Sequence, residues 1–230
     1  MIARPPMAIP TLAMIGLALL TALLVVEPGT IARFDAPLSA GLRGFATDRP
    51  GLVTVLRVVT DLAATIPFIA AGLAAIVLFA ARQDRPRALF CMAVTVVVPA
   101  GWALGQWLLH RPRPLDGFVT VTANGFPSGH TSNAAAAALA VVLLAWSGVG
   151  RTGRLLLGLL AASGVGVIAA SRLVLLVHWP VDVIGGCLLA VVVVSLAARW
   201  VPQQPGGLAL SDSRPGKVSS RDGSCEVRRS

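Results

Sequence analysis

Six stretches of the chain carry apolar side chains almost without interruption, at residues 8–26, 62–81, 88–109, 132–147, 155–170 and 181–198. Most approach the roughly 20 residues that a helix needs to cross a bilayer. The hydrophobicity is continuous rather than alternating, which excludes a transmembrane β-barrel. Within lipid every backbone polar group has to be satisfied inside its own segment, so the pattern predicts an all-α integral membrane protein, a bundle of six transmembrane helices. The fifth stretch has the least definite end, because it runs on through Ser171 and Arg172. The first stretch is preceded by Arg4, as a secretory signal would be, but its apolar core exceeds the roughly 7–15 residues of a signal and "VVEPGT" is a poor cleavage site; it reads as a retained span.

The segments between spans divide into two kinds. Residues 27–61 make a long connection that is expected to form an interfacial helix leading into the second span. From about residue 203 onward, "QQPGGLALSDSRPGKVSSRDGSCEVRRS" is too rich in Gly, Pro, Ser and charge to bury a core. The expected organisation is a membrane domain over 1–202 followed by a disordered cytoplasmic tail over 203–230.

Composition agrees with this reading: 56% of residues are hydrophobic and 13% charged, against roughly 25% charged in an ordinary soluble domain. Basic residues then orient the bundle. If spans alternate, one side receives Arg4, the short loops "ARQDRPR" and "GVGRTGR", and the basic tail; the other receives fewer cations, spread over longer loops. Short basic loops stay on the cytoplasmic side, so both termini are expected there. The formal charge of +9 belongs largely to those inner loops and the tail, which suits anchoring and contact with anionic lipid rather than a nucleic-acid partner. Cys91, Cys187 and Cys225 form no short-spaced pair and read as small hydrophobes rather than metal ligands or disulfide partners. Nothing in the pattern speaks to oligomeric state.

Orientation also places all three histidines, His110, His130 and His178, in or beside the outer loops. Three stretches there bring polar side chains to the ends of spans: "QWLLHRPRP" at 106–114, "PSGH" at 127–130 and "SRLVLLVHWPVD" at 171–182. Ionisable groups at a membrane span are costly enough that function is the first explanation. His178 and Asp182 stand four residues apart, with Pro180 suited to the first turn of a helix. A carboxylate on one ring nitrogen would hold the tautomer and leave the other lone pair free to attack; a capping Asp beside an interfacial His fits the same spacing. Arg172 could bind phosphate oxygens with its fork or simply snorkel. Ser128 suits a helix N-cap, and Gly129 would let backbone amides approach an anion at the helix start, beside His130 as a proton donor. Arg113, with Arg111 before it, suits phosphate or a basic membrane flank.

Taken together the three stretches resemble the signature motifs of the type-2 phosphatidic acid phosphatase family, the lipid-phosphatase branch of the superfamily that includes vanadium haloperoxidases. The second motif is complete at Pro127, Ser128, Gly129 and His130, and the third at Ser171, Arg172, His178 and Asp182. In the first, Arg113 and Pro114 match, but Gln106 stands where the pattern has lysine. Glutamine can donate from its amide but brings no charge; Arg111 is a candidate to compensate.

The resemblance implies a phosphatase without a metal or other cofactor. His178 would be the nucleophile forming a phosphohistidine, Asp182 would orient it, and His130 would protonate the leaving group. Arg113, Arg172, Ser128, Gly129 and Gln106 would hold the phosphoryl oxygens. The expected substrate is a membrane lipid phosphate or pyrophosphate reaching an extracytoplasmic site in the plasma membrane, a prenyl pyrophosphate first, then phosphatidic acid or phosphatidylglycerol phosphate. The alternatives are a degenerate relative that binds lipid phosphate without hydrolysing it, and a phosphotransferase. A transporter fits less well, since no charged residue lies deep within a span.

Overall fold

The computed structural model describes residues 1–202; the expected tail at 203–230 lies outside the described residues. Eight α-helices follow one another: α1 (Ala8–Val26), α2 (Pro28–Thr47), α3 (Pro50–Asp61), α4 (Thr65–Ala81), α5 (Arg85–Leu109), α6 (Gly129–Ala145), α7 (Arg151–Val174) and α8 (Pro180–Trp200). A single 3-10 turn, Trp146–Gly148, ends α6. Among the described residues six helical stretches are long and apolar enough to span a membrane: Ala8–Val26, Pro50–Ala81, Arg85–Leu109, Gly129–Gly148, Arg151–Val174 and Pro180–Trp200. The expected six-span, all-helical bundle is therefore what the chain adopts.

Helix starts follow local chemistry. Pro28, Pro50 and Pro180 each open a helix at its first position, where the missing amide hydrogen costs nothing. Asp84 caps α5 by accepting from the Arg87 amide at 3.2 Å and pairs with the Arg87 side chain at 3.1 Å. The connection 27–61 is not a single loop helix but two, α2 and α3, with α3 running into the second span. On α2 the buried residues Ile31, Asp35 and Ser39 recur every fourth position, so one face of the helix is packed, and that face includes a carboxylate.

The bundle is organised around α8, of which 61% of the span is buried, whereas α7 is buried over only 6%. Large apolar side chains on α1, α4 and α7, such as Leu19, Ile66, Val77 and Leu160, point outward, as expected where lipid is the solvent. Small residues let α8 sit centrally: Gly185, Gly186, Ala190, Ser195, Ala197 and Ala198 are all buried. At Gly186 a Cβ would stand 2.8 Å from the Ser128 carbonyl oxygen and 3.1 Å from Ser132 Oγ, so the bare backbone is what admits the start of α6 against α8. The N-terminal segment is tied to the far end of the same helix, Arg4 donating to the Val201 carbonyl at 3.1 Å and Arg199 to the Pro5 carbonyl. Residues 1–5 and the end of α8 thus share one end of the bundle.

Gly186→Ala should lower the thermal midpoint of the purified protein in detergent by the equivalent of about 1–3 kcal/mol, the usual cost of overpacking. Gly158→Ala on α7, where nothing lies within 4 Å of the added carbon, should leave it unchanged or slightly raised; equal midpoints for the two variants would remove the close approach at Gly186 as a packing constraint.

Candidate active site

The segment between α7 and α8 folds back on itself, the Val177 amide donating to the Arg172 carbonyl at 3.2 Å, and delivers His178 just before α8 begins. Asp182 lies in the first turn of α8, where its Oδ2 accepts from the Trp179 amide at 2.9 Å and stands 3.3 Å from His178 Nδ1. Capping and orienting, the two roles that the spacing allows, are thus filled by one carboxylate. Both side chains are buried, Asp182 completely. Its other oxygen, Oδ1, accepts from Arg111, and a second nitrogen of the same guanidinium reaches Asp35 Oδ2.

His178 Nε2 faces Arg113, whose Nη1 lies 2.9 Å away. Arginine can only donate, so this contact assigns Nε2 as the acceptor and Nδ1 as the protonated nitrogen directed at Asp182. Arg113 is held in place by backbone carbonyls, donating from Nη2 to Asn124 at 2.8 Å and from Nη1 to Val177 at 2.5 Å. Burial pushes its pKa down against the opposing pull of Asp182. His178 is also pushed down, to about 4, by burial first, with the Asp182 hydrogen bond acting against it. The imidazole is therefore neutral at physiological pH, with its lone pair on Nε2, where it accepts from Arg113.

The PSGH stretch packs directly on this pair. The Ser128 amide donates to the Asp182 carbonyl at 3.0 Å, and Ser128 caps α6, its Oγ accepting from Thr131 Oγ1 at 3.0 Å. The bare Cα of Gly129 faces the indole of Trp102, where a Cβ would lie 3.1 Å from the ring, so the glycine lets the helix start sit tightly on it. His130 follows in the first turn, half-buried, and the charges that reach its ring are those of Arg172, His178 and Arg113. Arg172, at the end of α7, is 4% exposed. Its Nη1 donates to Thr60 Oγ1 of α3 at 3.0 Å, its Nε is buried without a partner, and among the described residues it forms no ion pair.

The structure thus gathers His178, Asp182, His130, Ser128, Gly129, Arg113 and Arg172 in one place. Gln106 is nearby but otherwise engaged: its Nε2 donates to the Pro127 carbonyl at 3.1 Å, bracing the PSGH turn. Arg111 is likewise committed, to two carboxylates, and so is not a free cation standing in for the missing lysine. His110 lies apart from the other two histidines, exposed at the end of α5. Asp35 and Thr60 lie outside the three motif stretches, since both come from the 27–61 connection. A signal for Asp35 existed: it is the charged side chain on the face that carries Ile31, Ser39 and Ala46.

One turn below the site, an apolar cavity of about 580 Å³ opens between α4, α6 and α7. Its upper end is formed by Val59, Ala63, Asn133 and Ile168, each within about a helical turn of Thr60, His130 or Arg172. Asn133 donates to the Ala63 carbonyl at 3.2 Å, while its Oδ1 is buried without a partner. From Asn133 to Leu144, the α6 residues that line it, the helix rises by roughly 16 Å, about half of a hydrocarbon core of roughly 30 Å. Among the described residues no group of three or more His, Cys, Asp or Glu side chains is disposed to hold a metal ion.

The chain resembles known proteins in fold as well as motif. A crystal structure of a transmembrane PAP2-type phosphatidylglycerolphosphate phosphatase from Bacillus subtilis superposes with a TM-score of 0.67 at 22% identity, over 84% of this chain and 95% of that one. No curated protein matches. The family described as the PAP2 superfamily matches residues 87–205, a segment that holds all three motif stretches and four of the six spans. On that match, and on the motif residues it encloses, the chain belongs to the PAP2 superfamily, the type-2 phosphatidic acid phosphatase family.

Proposed function

We propose that this membrane phosphatase hydrolyses a lipid phosphate or pyrophosphate through a phosphohistidine on His178. The observation that carries the reading is Arg172: a guanidinium almost wholly buried, paired with no carboxylate, and directed to the same space as Arg113, His130 and the Nε2 lone pair. A buried cation is expensive unless an anion completes it, and a phosphoryl group placed there would accept from both arginine forks and from the Ser128 hydroxyl.

In the first step the Nε2 lone pair attacks phosphorus, the bond to the leaving oxygen breaks, and His130 supplies that oxygen with a proton. Asp182 stabilises the imidazolium as charge develops on it. Water then attacks the phosphohistidine, giving its proton to His130, and phosphate leaves with His178 restored. The arginines supply the positive charge, so no metal is required in this scheme. The apolar cavity below the site suits the lipid tail, which would stay in the bilayer while the head group enters. A prenyl pyrophosphate, phosphatidic acid and phosphatidylglycerol phosphate all present this combination; the last is the substrate class named for the Bacillus protein. The site is assigned to the extracytoplasmic face and both termini to the cytoplasm, supported by the basic short loops.

The second reading, a binder that no longer hydrolyses, is favoured by Gln106 alone. It is separable, because Gln106 sits on the Pro127 carbonyl, a contact that a lysine ammonium could also make.

Three outcomes are expected. His178→Ala should lower phosphate release from a panel of lipid phosphates by more than about 10³-fold; release that survives would remove His178 from its role. The pH dependence of turnover should show an acid limb in kcat/KM and an alkaline limb in kcat. His178, lowered to about 4 by burial, keeps its lone pair down to that pH, so the acid limb should lie well below the ordinary histidine range. The alkaline limb should follow loss of the proton that the bound phosphoryl anion holds on His130, and so is read from kcat; a monotonic rise of kcat to strongly alkaline pH would contradict the pairing of acid and nucleophile. Gln106→Lys should keep or raise the activity of a working enzyme, whereas activity that appears only in this variant would identify the wild-type chain as a binder.

A further inference from the structure

Asp35 belongs to none of the three motif stretches, yet its carboxylate is 1% exposed and touches the machinery. Its Oδ1 accepts from the Val181 amide at 3.1 Å, at the start of α8. Its Oδ2 accepts from Arg111, whose other terminal nitrogen donates to Asp182 Oδ1. Asp182 in turn stands 3.3 Å from His178 Nδ1. A line of hydrogen-bonded side chains therefore runs Asp35, Arg111, Asp182, His178 from α2 to the histidine ring.

The physical consequence lies in how Arg111 is shared. A guanidinium bound to Asp182 alone would draw charge from that carboxylate and make it a poorer acceptor for the His178 Nδ1 hydrogen. A second carboxylate on the other terminal nitrogen divides the pull, and one bond from each end of the fork fixes the plane of the guanidinium between the two acids. We propose that Asp35 is a positioning residue for phosphoryl transfer, acting through Arg111 on Asp182 to keep His178 aligned and basic. The inference rests on His178 being the nucleophile.

Other charges face the same groups. His178 is approached by Asp182 from α8, Arg113 from the connection after α5, Arg172 from α7 and His130 from α6, while Asp35 is faced by Arg111 and Asp182. Burial raises the Asp35 carboxyl, with Arg111 and the Val181 amide opposing that rise. Asp35→Asn can keep the Val181 contact through its amide oxygen while its amide NH2, a donor, faces Arg111, so the charge and the Arg111 hydrogen bond are lost together and the packing of α2 is kept.

The test uses the purified full chain in detergent with phosphatidic acid and farnesyl pyrophosphate as probes, after His178→Ala has been shown to be inactive on the one that is turned over. Asp35→Asn should lower kcat by about 10- to 100-fold, as loss of an orienting partner does for liganded histidines, with KM within about twofold. Its acid limb should move to lower pH, because an imidazole whose Nδ1 hydrogen is held more weakly is less basic. Asp35→Glu should recover part of the rate. Arg111→Gln should be more damaged, since it leaves two carboxylates facing each other, and adding Asp35→Asn to it should restore activity rather than reduce it further.

A folded Asp35→Asn protein with wild-type kcat and an unmoved acid limb would overturn the proposal, as would losses that multiply in the double variant. Should Asp35→Asn fail to fold, Arg111→Lys reads the same geometry: charge without the fork should still lower kcat, and wild-type kcat would count as refutation. An active His178→Ala would instead defeat the nucleophile assignment and take this inference with it.

Discussion

The site depends on a single buried carboxylate. Asp182 is fully enclosed where α8 meets the membrane edge, and a bare charge there would cost several kcal/mol. It is tolerated because its oxygens meet Arg111, His178 Nδ1 and the Trp179 amide, while its backbone carbonyl receives the Ser128 amide. Through these bonds one residue fixes the entry to α8, the tautomer of His178, the start of α6 and the connection after α5. The charge that must be satisfied is the reason four separate segments meet here.

The cations around it fall into two groups with opposite roles. Arg111 is bound at both ends by carboxylates and braces the site from behind. Arg172 is equally sequestered but is held only by the Thr60 hydroxyl, and Arg113 spends its donors on carbonyls and on the lone pair of His178. The cavity side of the histidine is thus lined by two guanidiniums that form no ion pair among the described residues. An incoming phosphoryl group would replace Arg113's contact with Nε2 and supply the anion that Arg172 lacks, so binding energy would be available where charge is redistributed during the reaction.

Around this polar end the bundle obeys lipid rather than water. Helix α8 is central because its small residues allow close approach, and outer helices such as α7 display large apolar side chains. The same looseness between α4, α6 and α7 that leaves an apolar cavity places it directly beneath Arg172 and His130. A polar end bearing two guanidiniums without ion pairs and an apolar slot are thereby adjacent, the arrangement that the proposed amphiphilic substrate calls for.

The sequence by itself determined the spans, because twenty apolar residues in a row have few options in a bilayer, and it determined the motif residues, because histidine, arginine and aspartate at span ends are too costly to be incidental. It also carried local structure: Ser128 as a cap, Pro180 as a first-turn residue, and the four-residue step from His178 to Asp182 are short-range geometry. What it did not carry were partnerships across the bundle. Gln106 read as a phosphate donor and Arg111 as a possible substitute cation, but which group each meets depends on how α5 lies against α6, α8 and α2. Asp35 looked like part of an undecoded loop until α2 folded its buried face onto the start of α8. Tertiary packing alone decided these pairings, because a side chain's partner is set by the relative placement of helices far apart in the chain, and no local period records that placement.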